Sequence, residues 1–348
     1  MGRHGRFAFG SLLTAALASS LLAQQPAAKP APLPAINPGQ AHLSQTLGGL
    51  DAPAFALAYQ ESTGILAAGS EQGTIHYWDK TVTLGVRTGD RTAQMLLAHR
   101  GPVTALAWAK TGPLASAGID RKVFLWAMPE GRLVHTLPVS SGVRALNMTA
   151  DGQLLASGSD DGVIQLWDTK TGKPVNQLSG HSDWILCLAF SSDGKLLASG
   201  GYDRFVRLWD VASGKKLLDL PVQPPPPPKT PPGPANTALA LAFSPDNKQL
   251  AIGGTDAQIH LVNAADGKIA RTLAGHDSSI TSLAFHPSGT LLVSAGKDRT
   301  IRLWNPANGQ PIKSLEGHTS WVQGVAFMAQ GTRLASVGAD QTVRLWSF

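Results

Sequence analysis

GHSDWILCLAFSSDGKLLASGGYDRFVRLWDVASGKKLLDL, residues 180–220, is the stretch on which the rest of the chain is read. Its apolar runs ILCLAF, LLASGG, FVRLWD and KLLDL are short, and they are punctuated by SSDG, Tyr202-Asp203 and SGK. Runs of this length ended by Gly, Asp or Ser favour strands over helices. Four such strands joined by tight turns make one antiparallel sheet.

Working outward from Trp209, a pattern close to L-W-D recurs at Trp78, Trp126, Trp167, Trp304 and Trp346, and Val262 stands where one further Trp belongs. The spacing is a repeat of roughly forty residues, long enough for one supersecondary unit that buries its apolar face only against copies of itself. Seven units fit between residues 41 and 348. Asp151-Gly152, Asp193-Gly194, Ser288-Gly289 and Gln330-Gly331 fall between first and second strands, where hairpins favour residues that tolerate positive φ. They are expected to be connectors and not sites.

Gly180-His181, Gly275-His276 and Gly317-His318 open units, and Trp167-Asp168 and Trp209-Asp210 close third strands. On these motifs the chain resembles the WD-repeat family of β-propellers over nearly everything after the first forty residues. The resemblance implies an all-β, seven-bladed propeller of four-stranded antiparallel blades. It also implies a buried hydrogen-bonded His, Ser, Asp and Trp in each complete blade. The matching sets are His99, Ser116, Asp120, Trp126; His181, Ser199, Asp203, Trp209; His276, Ser294, Asp298, Trp304; and His318, Ser336, Asp340, Trp346. A Ser-His-Asp set that occurs four times points to architecture and not to a hydrolase, since a buried indole N–H and imidazole must find partners. The third unit keeps Ser157, Asp161 and Trp167 without the His. The first has Ala68 and Gln72 in place of Ser and Asp, and the fifth has Ile252 and Val262 with only Asp256 left. Those two units are expected to hold by apolar packing alone. The seventh unit ends in VRLWSF at Phe348 without a fourth strand, and LSQTLGG at 43–49 looks like one. By the resemblance, residues 42–48 complete the last blade and close the ring, which removes exposed sheet edges.

Residues 1–23 read as a secretory signal peptide, with Arg3 and Arg6 before FAFGSLLTAALASSLLA and a cut after Ala18 or Ala23. An uncleaved membrane anchor is the alternative. Residues 24–40 are a Pro- and Ala-rich spacer, so the propeller is assigned to 41–348. Export, periplasmic or extracellular, is the expected localisation. Cys187 is alone, so no intrachain disulfide forms, and its apolar neighbours suggest an inert thiol.

The formal charge of +6 falls to about +4 without Arg3 and Arg6. Arg121, Arg204, Arg207, Arg299, Arg302 and Arg344 recur at similar repeat positions and read as periodic surface charge, with no nucleic-acid groove expected. No P-loop, zinc-protease helix, nucleophile elbow or cysteine metal spacing appears, and His76, His135, His260 and His286 fall in separate units. No metal, cofactor or catalytic residue is assigned, and a monomer is expected.

The family resemblance places the fourth-to-first and second-to-third connections on one face, commonly used to bind proteins. That face includes Phe55, Glu71, Pro102, Ile119, Arg144, Asp160, Lys297 and Gln323. The candidate partner-binding patch is Trp184 and Tyr202, flanked by Leu186 and Leu239, with Trp321 opposite in the ring. Beside it lies the proline-rich insertion 222–236, VQPPPPPKTPPGPAN, which reads either as a ligand for a proline-reading module or as a loop expansion. The expected function is a non-catalytic protein-interaction platform. The alternative is a propeller enzyme or small-ligand binder using the central channel, which needs convergent His, Asp or Glu side chains at one rim.

Overall fold

A computed structural model describes residues 33–83, 93–222 and 236–348. The segment read as a signal peptide and most of the proline-rich insertion lie outside the described residues.

Seven four-stranded antiparallel sheets are arranged as a propeller, each built from strands consecutive in sequence except the last. Blade 4 shows the plan: Ile185–Phe190, Leu196–Gly201, Phe205–Asp210 and Lys216–Pro221 pair in that order. Its first turn closes on Gly194 at φ 69°, and Gly152, Gly289 and Gly331 take the same left-handed conformation in their blades. Side chains alternate along each strand, so both faces of every inner strand must be covered. Adjacent blades supply the cover.

The ring closes through the N-terminal strand His42–Leu47, which pairs antiparallel with Val343–Ser347 of blade 7. Leu43 lies opposite Trp346, and Leu47, opposite Val343, is fully buried. The Ser44 hydroxyl adds a bond to the Leu345 carbonyl at 2.9 Å.

The core is divided among the blade-to-blade interfaces. Trp209 of blade 4 packs among Ala145, Ile164 and Leu178 of blade 3, and Trp346 of blade 7 packs among Val293, Ile301 and Leu315 of blade 6. Each ladder tryptophan therefore covers the blade before it. Val262 takes that role in blade 5, against Val206 and Leu208 of blade 4. Among the described residues no helix is long and apolar enough to cross a membrane.

Candidate functional site

Four blades contain the same buried relay. In blade 4 the Trp209 Nε1–H donates to Ser199 Oγ at 2.8 Å, Ser199 lies 2.8 Å from His181 Nε2, and His181 Nδ1 lies 3.0 Å from Asp203. The ionised carboxylate can only accept, so the ring proton sits on Nδ1 facing it, and Nε2 accepts from the serine hydroxyl, whose oxygen in turn accepts from the indole. The geometry repeats at His99, Ser116, Asp120 and Trp126. It repeats again at His276, Ser294, Asp298 and Trp304, and at His318, Ser336, Asp340 and Trp346. All four serines are fully buried with their oxygens committed, so none is a free nucleophile.

Burial holds the imidazoles of His99, His181 and His318 below the usual histidine range despite their carboxylates. Burial pulls the carboxyls of Asp203, Asp298 and Asp340 upward. Hydrogen bonds from histidine and backbone N–H groups outweigh it and leave all three below the usual range. The outcome is a neutral ring donating to an ionised carboxylate inside the sheet edge.

A glycine makes room for this pair. A Cβ on Gly201 would lie 2.8 Å from His181 Nδ1 and 2.9 Å from Asp203 Oδ1, and Gly118, Gly296 and Gly338 are equally confined. Ser70 and Ser159 occupy this place in blades 1 and 3, which lack the histidine. Blade 5 also lacks the histidine yet keeps Gly254, where a Cβ would meet the Thr237 carbonyl at 2.5 Å and Asn236 Oδ1 at 2.7 Å.

The expectation that blades 1 and 5 hold by apolar packing alone is corrected by polar networks in both. In blade 1, Asp51 accepts from Thr74 Oγ1 at 2.8 Å and lies 2.9 Å from His76 Nε2, and Thr74 lies 2.6 Å from Ser70. In blade 5, Asn236 Oδ1 accepts from Thr255 Oγ1 and the Asp256 N–H, and His260 Nε2 lies 3.0 Å from Asp256. Blade 3 links Ser140 Oγ to Asp161 at 2.7 Å, and its Ser157 accepts from Trp167 Nε1 at 2.9 Å. In all seven blades a residue of the fourth-to-first connection is thus tied to the second-to-third hairpin. The chemistry differs, and the tie persists.

Arginine positions also need correction. Arg207 is buried, donates to Asp203 Oδ2 at 2.6 Å and lies 3.1 Å from Asp219, so it braces the relay and is not surface charge. Arg121, Arg204 and Arg299 follow the tetrad aspartates with φ between 61° and 69°, the place that Gly73 and Gly162 take in blades 1 and 3. The aspartate accepts from the backbone N–H two residues on, as Asp203 does from Phe205, which holds the turn.

These ties bring both sets of connections to one face, at the mouth of the central channel. A cavity of about 520 Å³ opens there, walled by Phe55, Pro102, Ile119, Leu186, Leu239 and Trp321, with Thr104, Arg144, Thr281, Lys297 and Gln323 completing it. Leu186 and Leu239 lie one residue inside their first strands and are half-buried. Trp184 and Tyr202, 41 % and 55 % exposed, stand outside the cavity on its rim with ring centroids 5.8 Å apart. Arg144 joins rim to cavity: its guanidinium lies 4.0 Å from the Trp184 ring centroid and pairs with Asp160. Trp321, 48 % exposed, carries Lys297 4.7 Å from its ring centroid. Among the described residues, neither the mouth nor the channel below it is lined by His, Asp or Glu. Among the described residues no cluster of His, Cys, Asp and Glu could hold a metal ion. Cys187 is buried in the channel wall, and burial pushes its thiol far above the usual range.

Fold and relay together define a propeller built from repeats of one hydrogen-bonded blade. The WD domain, G-beta repeat family matches residues 91–127, 131–168, 172–210, 227–263, 267–305 and 309–347, and the chain belongs to that family. Blade 1, which lacks the relay, gives no separate match. The chain is 28% identical over 167 residues to CCR4-associated factor 4 of Saccharomyces cerevisiae, covering 38% of this chain and 26% of that protein. It is 31% identical over 124 residues to autophagy-related protein 16 of Arabidopsis thaliana, covering 35% and 23%. Protein NEDD1 of Mus musculus is 28% identical over 129 residues, covering 36% and 19%. The matched region thus spans about a quarter or less of these relatives.

Proposed function

We infer that the protein is a non-catalytic interaction platform that holds a protein partner on the face carrying Trp184 and Tyr202. The observation that carries this reading is the pair of exposed aromatic rings beside a concave mouth, with Trp184 fixed against Arg144. Aromatic and arginine side chains held rigid before binding are the residues on which interfaces concentrate their energy. The Tyr202 N–H donates to the Trp184 carbonyl at 2.7 Å, so the two loops move as one. An enzyme working in the channel would need convergent acid and base groups, which the lining residues do not supply. One relative, CCR4-associated factor 4, is named for its association with another protein.

Export belongs to the same proposal. It is supported by Arg3 and Arg6 before the apolar run at 7–23. The proline-rich insertion leaves the ring at Val222, whose N–H donates to the Arg204 carbonyl, and so begins on the face proposed for binding.

Affinity capture from the producing cell, run in parallel with Trp184→Ala and Tyr202→Ala, tests the platform. Selective loss of one partner with both variants supports it; retention by both, or turnover of a small substrate in the channel, sinks it. Mass spectrometry of exported protein should find a mature N-terminus at Ser19 or Gln24.

A further inference from the structure

Trp184 and Trp321 occupy the same place in their repeats, three residues after the relay histidines His181 and His318. The other two blades with a complete relay have Pro102 and Ser279 there. Each tryptophan is met by a cation from the preceding blade, Arg144 on Trp184 and Lys297 on Trp321. Both cations line the channel mouth, and among the described residues none that lines it carries a negative charge.

The two cations differ in what they have left to offer. Arg144 is engaged by both carboxylate oxygens of Asp160, the second at 3.3 Å. Lys297 has no ion-pair partner among the described residues, the residue is half-buried, and its ammonium lies over the Trp321 ring. A positive group so placed favours one anion, and Ile119, Leu239 and Trp321, which line the same mouth, favour apolar groups attached to it. A polyanion such as nucleic acid fits poorly, because among the described residues of the mouth Lys297 alone is without an ion-pair partner, and it neutralises little of such a ligand.

Resting on the reading of this face as a binding surface, we propose that the mouth takes an extended peptide segment of the partner in which one Asp or Glu meets Lys297 and flanking apolar side chains lie on Trp321, Ile119 and Leu239.

The test is selection of phage-displayed random dodecapeptides on the full chain, followed by fluorescence anisotropy with labelled synthetic copies of the enriched sequences. Expected are peptides with one acidic residue between Leu, Ile or Phe. Lys297→Gln should weaken them about fivefold, as for a partly exposed ion pair. Replacing the peptide carboxylate by its amide should then cost nothing further, and Lys297→Arg should restore binding. Neutral or basic peptides, no enrichment, or acidic peptides indifferent to Lys297→Gln overturn the proposal. Peptides that ignore Lys297→Gln yet are lost with Trp184→Ala leave the binding face standing without its acidic preference. Peptides that ignore Trp184→Ala, Tyr202→Ala and Trp321→Ala remove the face as well.

Discussion

Blades 1 and 4 are the same sheet stabilised by different chemistry. In blade 4 the indole of Trp209 ends a chain of bonds that runs through Ser199 and His181 to Asp203, with Arg207 bracing its far end. In blade 1 Ala68 stands where the serine would be, and the buried Trp78 Nε1–H has no partner among the described residues. The polar tie survives there by moving to Asp51, Thr74 and His76 at the sheet edge. What the fold requires of every blade is a staple between two connections. The buried serine adds satisfaction of the tryptophan, and blade 1 does without it.

The largest effect is expected where neither chemistry can compensate. Deleting residues 41–48 removes the strand that covers Trp346 and buries Leu47, and leaves an open edge on Val343–Ser347. Thermal denaturation should show a sharp loss, comparable to Trp346→Ala, itself expected to cost about 3–5 kcal/mol. A deletion variant that melts like the parent refutes the closure.

The comparison of blades is sharpened by removing the indole N–H from each. Trp209→Phe and Trp78→Phe lose similar volume, but only the first breaks a hydrogen bond, so it should be the more destabilising by about 1 kcal/mol. Conversely, Ala68→Ser offers Trp78 an acceptor. Ser157 of blade 3 shows that the serine needs no histidine, since its hydroxyl turns to the Gln165 carbonyl at 3.4 Å. In the same register, a hydroxyl at 68 faces His76, and a gain of about 1 kcal/mol is expected in chemical denaturation. Equal losses in the two Phe variants would mean that the relay adds nothing beyond packing.

Acid should expose the relay blades in two stages. Folding lowers the pKa of His99, His181 and His318, so on acidification the unfolded chain takes up these protons first. Their contribution is therefore complete above about pH 6.5 and declines as pH falls toward the folded values. Asp203, Asp298 and Asp340 are also lowered, so theirs is present above about pH 4 and lost below it. His181→Asn should flatten the first stage of a melting-temperature series; a slope unchanged by that substitution would count against a neutral buried imidazole.

The blade count was legible because the tryptophan ladder repeats with fixed offsets, and the closing strand and the four relays because those offsets match the pattern of the WD-repeat family. The relocated tie of blade 1 was not, because Asp51 and His76 lie 25 residues apart and neither stands at one of the four relay places of the repeat. Arg207 looked like Arg302 and Arg344, and its burial depends on Asp219 from the fourth strand, which the repeat pattern does not specify. Trp184, Tyr202 and Trp321 could be marked as exposed aromatics from loop position alone. Their cationic partners could not, since Arg144 and Lys297 come from the preceding blades. Repetition makes the common frame readable and hides what passes between units.

The most direct measurement pairs two variants of blade 4, Trp184→Ala on the rim and Ser199→Ala in the relay, and records both partner affinity and melting temperature for each. Trp184→Ala should lose affinity at an unchanged melting temperature, and Ser199→Ala should melt lower yet bind as the parent does below its transition. A Trp184→Ala variant that binds normally, or a Ser199→Ala variant that loses binding while melting as the parent does, would contradict the separation of a structural relay from a functional rim.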